Sequence, residues 1–248
     1  MDVLETRALT KDFRGFRAVD RVDLRVAEGT IHVLVGPNGA GKTTLFNLLS
    51  GFVKPTAGSV LFGGEDVTGL APERIARRGI ARSFQITSLF EQLTALEHVA
   101  LALQASTSLG YRFWQSSAAL ARFRDRALEI LEEVRLAELA ERPVHSLPYG
   151  QKRALEMALV LALEPRLLLL DEPTAGMGLA DVEHMIGLIR RLRVGRTVVL
   201  VEHNMGVVAE LADRVTVLQR GNVLAEGTYG EVRDDPRVVD AYLGQTHA

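Results

Sequence analysis

The residues best suited to chemistry gather in GPNGAGKTT (36–44), a match to the GxxxxGK[ST] pattern of a phosphate-binding loop. Gly36, Gly39 and Gly41 let the backbone curl so that successive N–H groups face one anion, with Pro37, Asn38 and Ala40 completing the loop. Lys42 adds a point charge near the terminal phosphates of a nucleotide, and the Thr43 hydroxyl, followed by Thr44, suits a magnesium ion. A helix starting near Lys42 aims its positive end at the same phosphates. Asp171 and Glu172 come directly after Leu167–Leu170, a burial pattern that disfavours reading them as a surface pair. Asp171 then has a natural role in holding magnesium through water, and Glu172 can polarise an attacking water as general base. His203 ends the run TVVLV–Glu202–His203. A lone histidine is more often structural, but its place at the end of a strand of the same sheet favours contact with a γ-phosphate.

Two further residues have weaker signals. Gln85 ends GIARSFQ, where a glutamine is ordinarily a solvated loop amide; beside a phosphate loop it is a candidate ligand for magnesium or for the attacking water. Phe13 stands in the polar segment KDFRGF and reads equally well as an exposed ring or as a stacking platform for a base.

The elements that must position these groups follow from the pattern. Ile31–Val35, Leu167–Leu170 and 197–201 are short, apolar and largely β-branched or leucine-rich, as buried parallel strands are. Ligands of open parallel sheets sit outside the carboxyl ends of the strands, so the loop, the acid pair and His203 should share one rim. Residues 2–28 alternate apolar and polar, the mark of an antiparallel sheet with one wet face. Gly51 stands where a left-handed helix cap is wanted, and KPTAG (54–58) turns into another short strand. From about residue 86 to 163 the spacing turns helical, as in Ala127, Ile130, Leu131 and Val134, and predicts an inserted helical lobe. Its middle, 106–117, reads as loop. A helix is expected from about Gln151, another over 181–193, and a hairpin with a closing helix at the end.

Composition narrows the classes. The 248 residues carry 29 Lys+Arg against 31 Asp+Glu, a net charge of −2 that leaves no nucleic-acid footprint. The absence of cysteine removes disulfides and thiolate metal sites. The longest apolar run, Met157–Leu163, is far below the roughly 18–20 residues that cross a bilayer, so any membrane role must be played through a partner. Met1–Asp12 alternates charges without an apolar stretch and is not expected to be a signal peptide.

In this order the motifs resemble the ATP-binding subunit of ABC transporters: GPNGAGKTT looks like its Walker A loop, SFQ its Q-loop, LPYGQ (147–151) its signature, LLLLDE its Walker B and VEH its H-loop. The resemblance covers essentially the whole chain. It implies an α/β fold, a P-loop NTPase (RecA-like) parallel-sheet core with an N-terminal antiparallel β subdomain (1–85 and 164–248) and an inserted α-helical subdomain (86–163). It implies that Phe13 stacks on adenine, that Lys42, Thr43, Gln85 and Asp171 hold ATP with Mg2+, and that Glu172 activates water with His203 on the γ-phosphate. It also implies a head-to-tail dimer, homo- or heteromeric, in which Leu147, Pro148, Tyr149, Gly150 and Gln151 close over ATP held by the second subunit. Transmembrane permease subunits would hold the pair at the cytoplasmic face of the inner membrane. Pro148 and Tyr149 depart from the usual LSGGQ, and Pro148 lacks a hydroxyl and an N–H, so contacts in trans should fall on Gly150 and the helix start. Gly178 stands where an Asp is common.

RSFQ, YGQ, DEPTAGM, VEHNM and a terminal YLG look most like the LivG-type ATPases of branched-chain amino-acid importers, with urea importers close. Competing classes are the ATPase of a related system, such as another solute importer or a lipid exporter, and a non-membrane ABC ATPase acting on DNA or ribosomes. The latter is disfavoured by a single copy of the motifs and the lack of heptads. A small-molecule kinase or GTPase would leave LPYGQ unexplained.

Overall fold

The computed structural model describes residues 1–83, 89–106 and 123–243. They form two compact units: residues 1–82, 166–173 and 193–243 make the first, and residues 83, 89–106, 123–165 and 174–192 the second. The expected boundaries at 85/86 and 163/164 fall close by, but the helix after the acid pair groups with the helical residues and not with the core.

The first unit holds both sheets. β1 (Asp2–Phe13) and β2 (Phe16–Ala27) pair antiparallel, and β4 (Ala57–Phe62) and β5 (Glu65–Asp66) extend them in the order β2-β1-β4-β5. Arg14 and Gly15 join β1 to β2 with φ of 45° and 93°, the positive pair that a two-residue hairpin needs to match strand twist. Val22, Leu24 and Val26 alternate inward along β2 as the sequence pattern requires.

The second sheet runs β10-β9-β3-β8-β7-β6, with β3 (Ile31–Val35), β6 (Ile80–Arg82), β7 (Leu167–Asp171), β8 (Thr197–Val201), β9 (Arg214–Gln219) and β10 (Asn222–Gly227). Every pairing is parallel except the β9–β10 hairpin. All residues of β3, β7 and β8 are buried, which explains why they are apolar but for His32, Asp171 and Thr197. Helix α1 (Lys42–Leu49) follows β3 and packs Leu45, Phe46 and Leu49 into a core shared with Leu34, Leu169 and Val201. Short helices α2 (Pro72–Ala76), α7 (Met205–Leu211), α8 (Tyr229–Arg233) and α9 (Pro236–Leu243) complete the unit.

The second unit is helical: α3 (Ala95–Ser106), α4 (Arg124–Glu133), α5 (Tyr149–Leu161) and α6 (Leu179–Leu192). α4 is shorter than its spacing predicts. Arg135 takes a left-handed φ of 60° and the Leu136 N–H reaches back to the Leu131 carbonyl at 2.7 Å, which closes the helix before the 3₁₀ turn Ala137–Leu139. α5 starts at Tyr149, two residues ahead of the expected Gln151, with Pro148 as its cap residue. The expected loop at 106–117 lies, but for Ser106, outside the described residues.

Candidate nucleotide site

The chain leaves buried β3 at Gly36 and enters α1 at Lys42. Two glycines of this loop are required by crowding. A Cβ on Gly36 (φ 147°) would stand 2.2 Å from the Leu218 carbonyl oxygen of β9, and one on Gly41 (φ 103°) 2.4 Å from the Ala18 carbonyl oxygen of β2. The loop is thus threaded between two strands with no room for a side chain at either end. Among the described residues, the amides of Gly39, Gly41, Lys42, Thr43 and Thr44 donate to no protein acceptor, whereas Leu45 N–H already bonds the Gly41 carbonyl at 2.8 Å. These free N–H groups, at the start of a helix, are suited to phosphate oxygens. The Lys42 ammonium is buried and donates to the Gly36 carbonyl at 2.5 Å and the Pro37 carbonyl at 3.0 Å. Burial pushes its pKa below that of free lysine, and the nearby carboxylates of Glu172 and Asp171 pull it back up.

Register places the acids beside this loop. Leu34 of β3 pairs with Val201 of β8, and Val201 pairs with Asp171 of β7, so the three residues form one row at the carboxyl ends of adjacent strands. Asp171 is 6% exposed and accepts from Arg82 Nη2 at 2.7 Å. The same guanidinium donates through Nη1 to Asn47 Oδ1 at 2.6 Å and Ser50 Oγ at 3.1 Å. Glu172 turns out of the strand with a left-handed φ of 47°, its N–H bonded to the Val201 carbonyl at 3.0 Å. A non-glycine residue in that region is uncommon and re-aims the side chain sharply relative to its neighbour. His203 Nδ1 stands 3.9 Å from Glu172 Oε1, with side-chain exposures of 64% and 30%. Beneath it, fully buried Glu202 accepts from the N–H groups of His203 (3.1 Å) and Asn204 (3.3 Å), and Asn204 caps α7.

The first unit therefore brings Gly36–Thr44, Asp171, Glu172 and His203 to one rim. Among the described residues no three His, Cys, Asp or Glu side chains gather to hold a metal unaided. The oxygen donors present, the Thr43 hydroxyl and the Asp171 carboxylate, suit a hard cation that takes its other ligands from water and phosphate, as magnesium does. Phe13 ends β1 at the hairpin tip, 44% exposed, with Lys11 Nζ 5.0 Å from its ring centre. Gln85 lies outside the described residues.

Leu147–Gln151 belongs to the second unit. There the backbone of Gly150 lies against Asp181, where a Cβ would stand 2.6 Å from Oδ1. The Tyr149 hydroxyl donates to the Ala175 carbonyl at 3.2 Å, and its ring centre is 5.9 Å from the Arg153 guanidinium carbon. Lys152 N–H bonds the Pro148 carbonyl at 3.0 Å, the bond that closes the first turn of α5.

Arg82 and Glu202 were not singled out by the sequence. An arginine after two apolar strand residues reads as a strand end meeting solvent, and only the three-dimensional pairing shows it buried on Asp171. Glu202 could have been suspected, because a carboxylate directly after a fully apolar strand has to find donors.

A sequence profile described as ABC transporter matches residues 19–175, and one described as branched-chain amino acid ATP-binding cassette transporter matches residues 222–248. The chain is 40% identical over 250 residues to the high-affinity branched-chain amino acid transport ATP-binding protein BraF of Pseudomonas aeruginosa, covering 98% of each. It is 39% identical over 255 residues to the corresponding protein LivG of Salmonella typhimurium, again covering 98% of each. The crystal structure of the ADP conformation of MJ1267, an ATP-binding cassette of an ABC transporter, superposes with a TM-score of 0.87 at 30% identity, covering 98% of this chain and 99% of that one.

Proposed function

The chain belongs to the ABC transporter family, and from that premise we propose that it is the ATP-hydrolysing subunit of an importer of branched-chain amino acids. The observation that carries this reading is the shared rim: a phosphate loop with free amides, the Lys42 charge, two carboxylates and an imidazole at the carboxyl ends of β3, β7 and β8. No smaller set of these groups explains the others.

In the proposed cycle the amides of Gly36–Thr44, with Pro37, Asn38 and Ala40 shaping the loop, hold the phosphates of ATP, and Lys42 exchanges its bonds to loop carbonyls for phosphate oxygens. Thr43, Asp171 and Gln85 would hold a magnesium ion, and the chemistry it would supply is neutralisation of charge on the terminal phosphates. Glu172 accepts a proton from the attacking water. The water oxygen bonds to the γ-phosphorus, the bond to the bridging oxygen breaks, and the electron pair leaves with ADP. His203, steadied by Glu202, donates to the γ-phosphate as that charge shifts. Phe13 stacks on adenine.

The solved ATP-binding cassette MJ0796, 29% identical to this chain, is dimeric with ADP and Pi bound, and on that pattern we read this chain as one half of a cassette pair that works with membrane permease subunits. We take Leu147–Gln151 to close over the ATP of a second cassette, so that nucleotide binding draws the pair together and hydrolysis releases it. Among the described residues no helix is long and apolar enough to cross a membrane. The chain's likeness to transport ATP-binding proteins supports attachment to the cytoplasmic face of the membrane through the permease. The test is uptake of labelled leucine, isoleucine and valine by cells lacking this chain. Restoration by the parent and not by Glu172→Gln supports the proposal; unchanged uptake in its absence contradicts it.

A further inference from the structure

The most constrained group at the rim has no place in the cycle above. Arg82, the last residue of β6, is buried with Asp171, their side chains 11% and 7% exposed, and its two terminal nitrogens serve two different elements. Nη2 donates to Asp171 Oδ2 at the end of β7 (2.7 Å), while Nη1 donates to Asn47 in α1 and to Ser50 at its end (2.6 and 3.1 Å). The rings of Phe46 and Phe52 flank the guanidinium carbon at 5.6 and 5.8 Å.

α1 is the helix that begins with Lys42 and Thr43, and β7 is the strand that ends in Asp171. One planar fork therefore spans the two elements that carry Thr43 and Asp171, two of the proposed magnesium ligands. Because the angles within a guanidinium are fixed, its two arms set the spacing of those elements as well as the orientation of the carboxylate. A lysine reaches one arm or the other but not both.

We propose that Arg82 is a positioning residue for the magnesium site, acting through Asp171 and α1 without touching the ion or the nucleotide. The inference rests on the ATPase reading above. It makes a prediction opposite in sign to that of charge alone. A cation beside Asp171 weakens the pull of the carboxylate on a second cation, so if charge governed, removing Arg82 would tighten magnesium binding. If orientation governs, removing it loosens the ion, because a carboxylate left without its partner no longer presents one fixed face.

The experiment is equilibrium binding of a fluorescent, non-hydrolysable ATP analogue to the full chain, with magnesium varied, alongside the same titration in EDTA. Melting temperatures are recorded for each protein. For Arg82→Gln the half-saturating magnesium concentration should rise about tenfold while affinity in EDTA stays within about twofold of the parent. Arg82→Lys should fall between them. If Arg82→Gln does not fold, Asn47→Ala combined with Ser50→Ala releases one arm only and should shift magnesium dependence in the same direction by a smaller factor. Unchanged or tighter magnesium dependence in the folded variants, or an equal loss of affinity in EDTA, would overturn the proposal and leave Arg82 a structural ion pair. A parent chain whose nucleotide binding does not respond to magnesium would overturn both this inference and the ATPase reading, so the two failures are distinguishable.

Discussion

Nδ1 of His203 and Oε1 of Glu172 stand 3.9 Å apart, Glu172 directly after β7 and His203 two residues after β8, with Glu202 fixing the backbone of the first and a left-handed φ aiming the second. At that distance and exposure the contact contributes little to stability. Its meaning is spatial: an imidazole and a carboxylate face a common volume beside the phosphate loop. His203→Ala should therefore lower the rate of ATP hydrolysis by about 100-fold or more, with little change in melting temperature. Steady-state phosphate release and a thermal melt check this, and a rate equal to that of the parent would remove His203 from the site.

Lys42 is held ready by its own loop, its ammonium bonded to the carbonyls of Gly36 and Pro37 and buried enough to lower its pKa. Lys42→Ala should weaken nucleotide binding itself, by about 1.5–3 kcal/mol for a lost charge-assisted hydrogen bond. Titration with a fluorescent ATP analogue measures it. Unchanged affinity would contradict the placement of the phosphates on Gly36–Thr44.

Phe13 reaches solvent at a hairpin tip whose second strand touches Gly41 through Ala18. Phe13→Ala should weaken ATP binding by about 1–3 kcal/mol, the worth of one stacked base, and leave the maximal rate nearly unchanged. Normal affinity would return the ring to ordinary surface beside Lys11.

The sheet was more legible than the site. Ile31–Val35 and 197–201 announce themselves because strands buried on both faces are dominated by β-branched and leucine side chains, His32 and Thr197 being their single polar members, and both appear with the expected bounds. Helix ends were less legible. α5 begins at Tyr149 because Pro148 favours an extended backbone before it, and α4 stops at Arg135 through a left-handed residue that is not glycine. The acid pair was recognisable from four leucines, but its partner Arg82 was not, because a buried ion pair between sequence-distant residues leaves no local pattern.

His32 offers a pH dependence separate from catalysis. It is fully buried in β3, Nε2 bonded to Thr216 Oγ1 at 2.7 Å, and burial lowers its pKa from 6.5 to about 4, against the pull of Glu226. Above pH 6.5 the ring is neutral in both folded and unfolded chains and has no effect on the balance. As pH falls from 6.5 toward 4 the unfolded chain binds a proton that the folded chain does not, so stability is lost through that window, by about 3 kcal/mol in all. Urea denaturation at pH 7 and pH 4.5 should show this loss in the parent and a smaller one in His32→Gln; equal losses would place the acid sensitivity elsewhere.

Glu172→Gln tests the central claim, that this chain splits ATP at a site completed by a second cassette. The substitution keeps the shape of the side chain and removes its capacity to take a proton from water. Sedimentation of the variant with saturating MgATP, alone and mixed with any homologous cassette that copurifies with the permease, is the direct measurement. The account predicts bound ATP, no turnover and a stable dimer; a variant that binds ATP yet sediments as a monomer in both settings, or one that still hydrolyses at the parent rate, would contradict it.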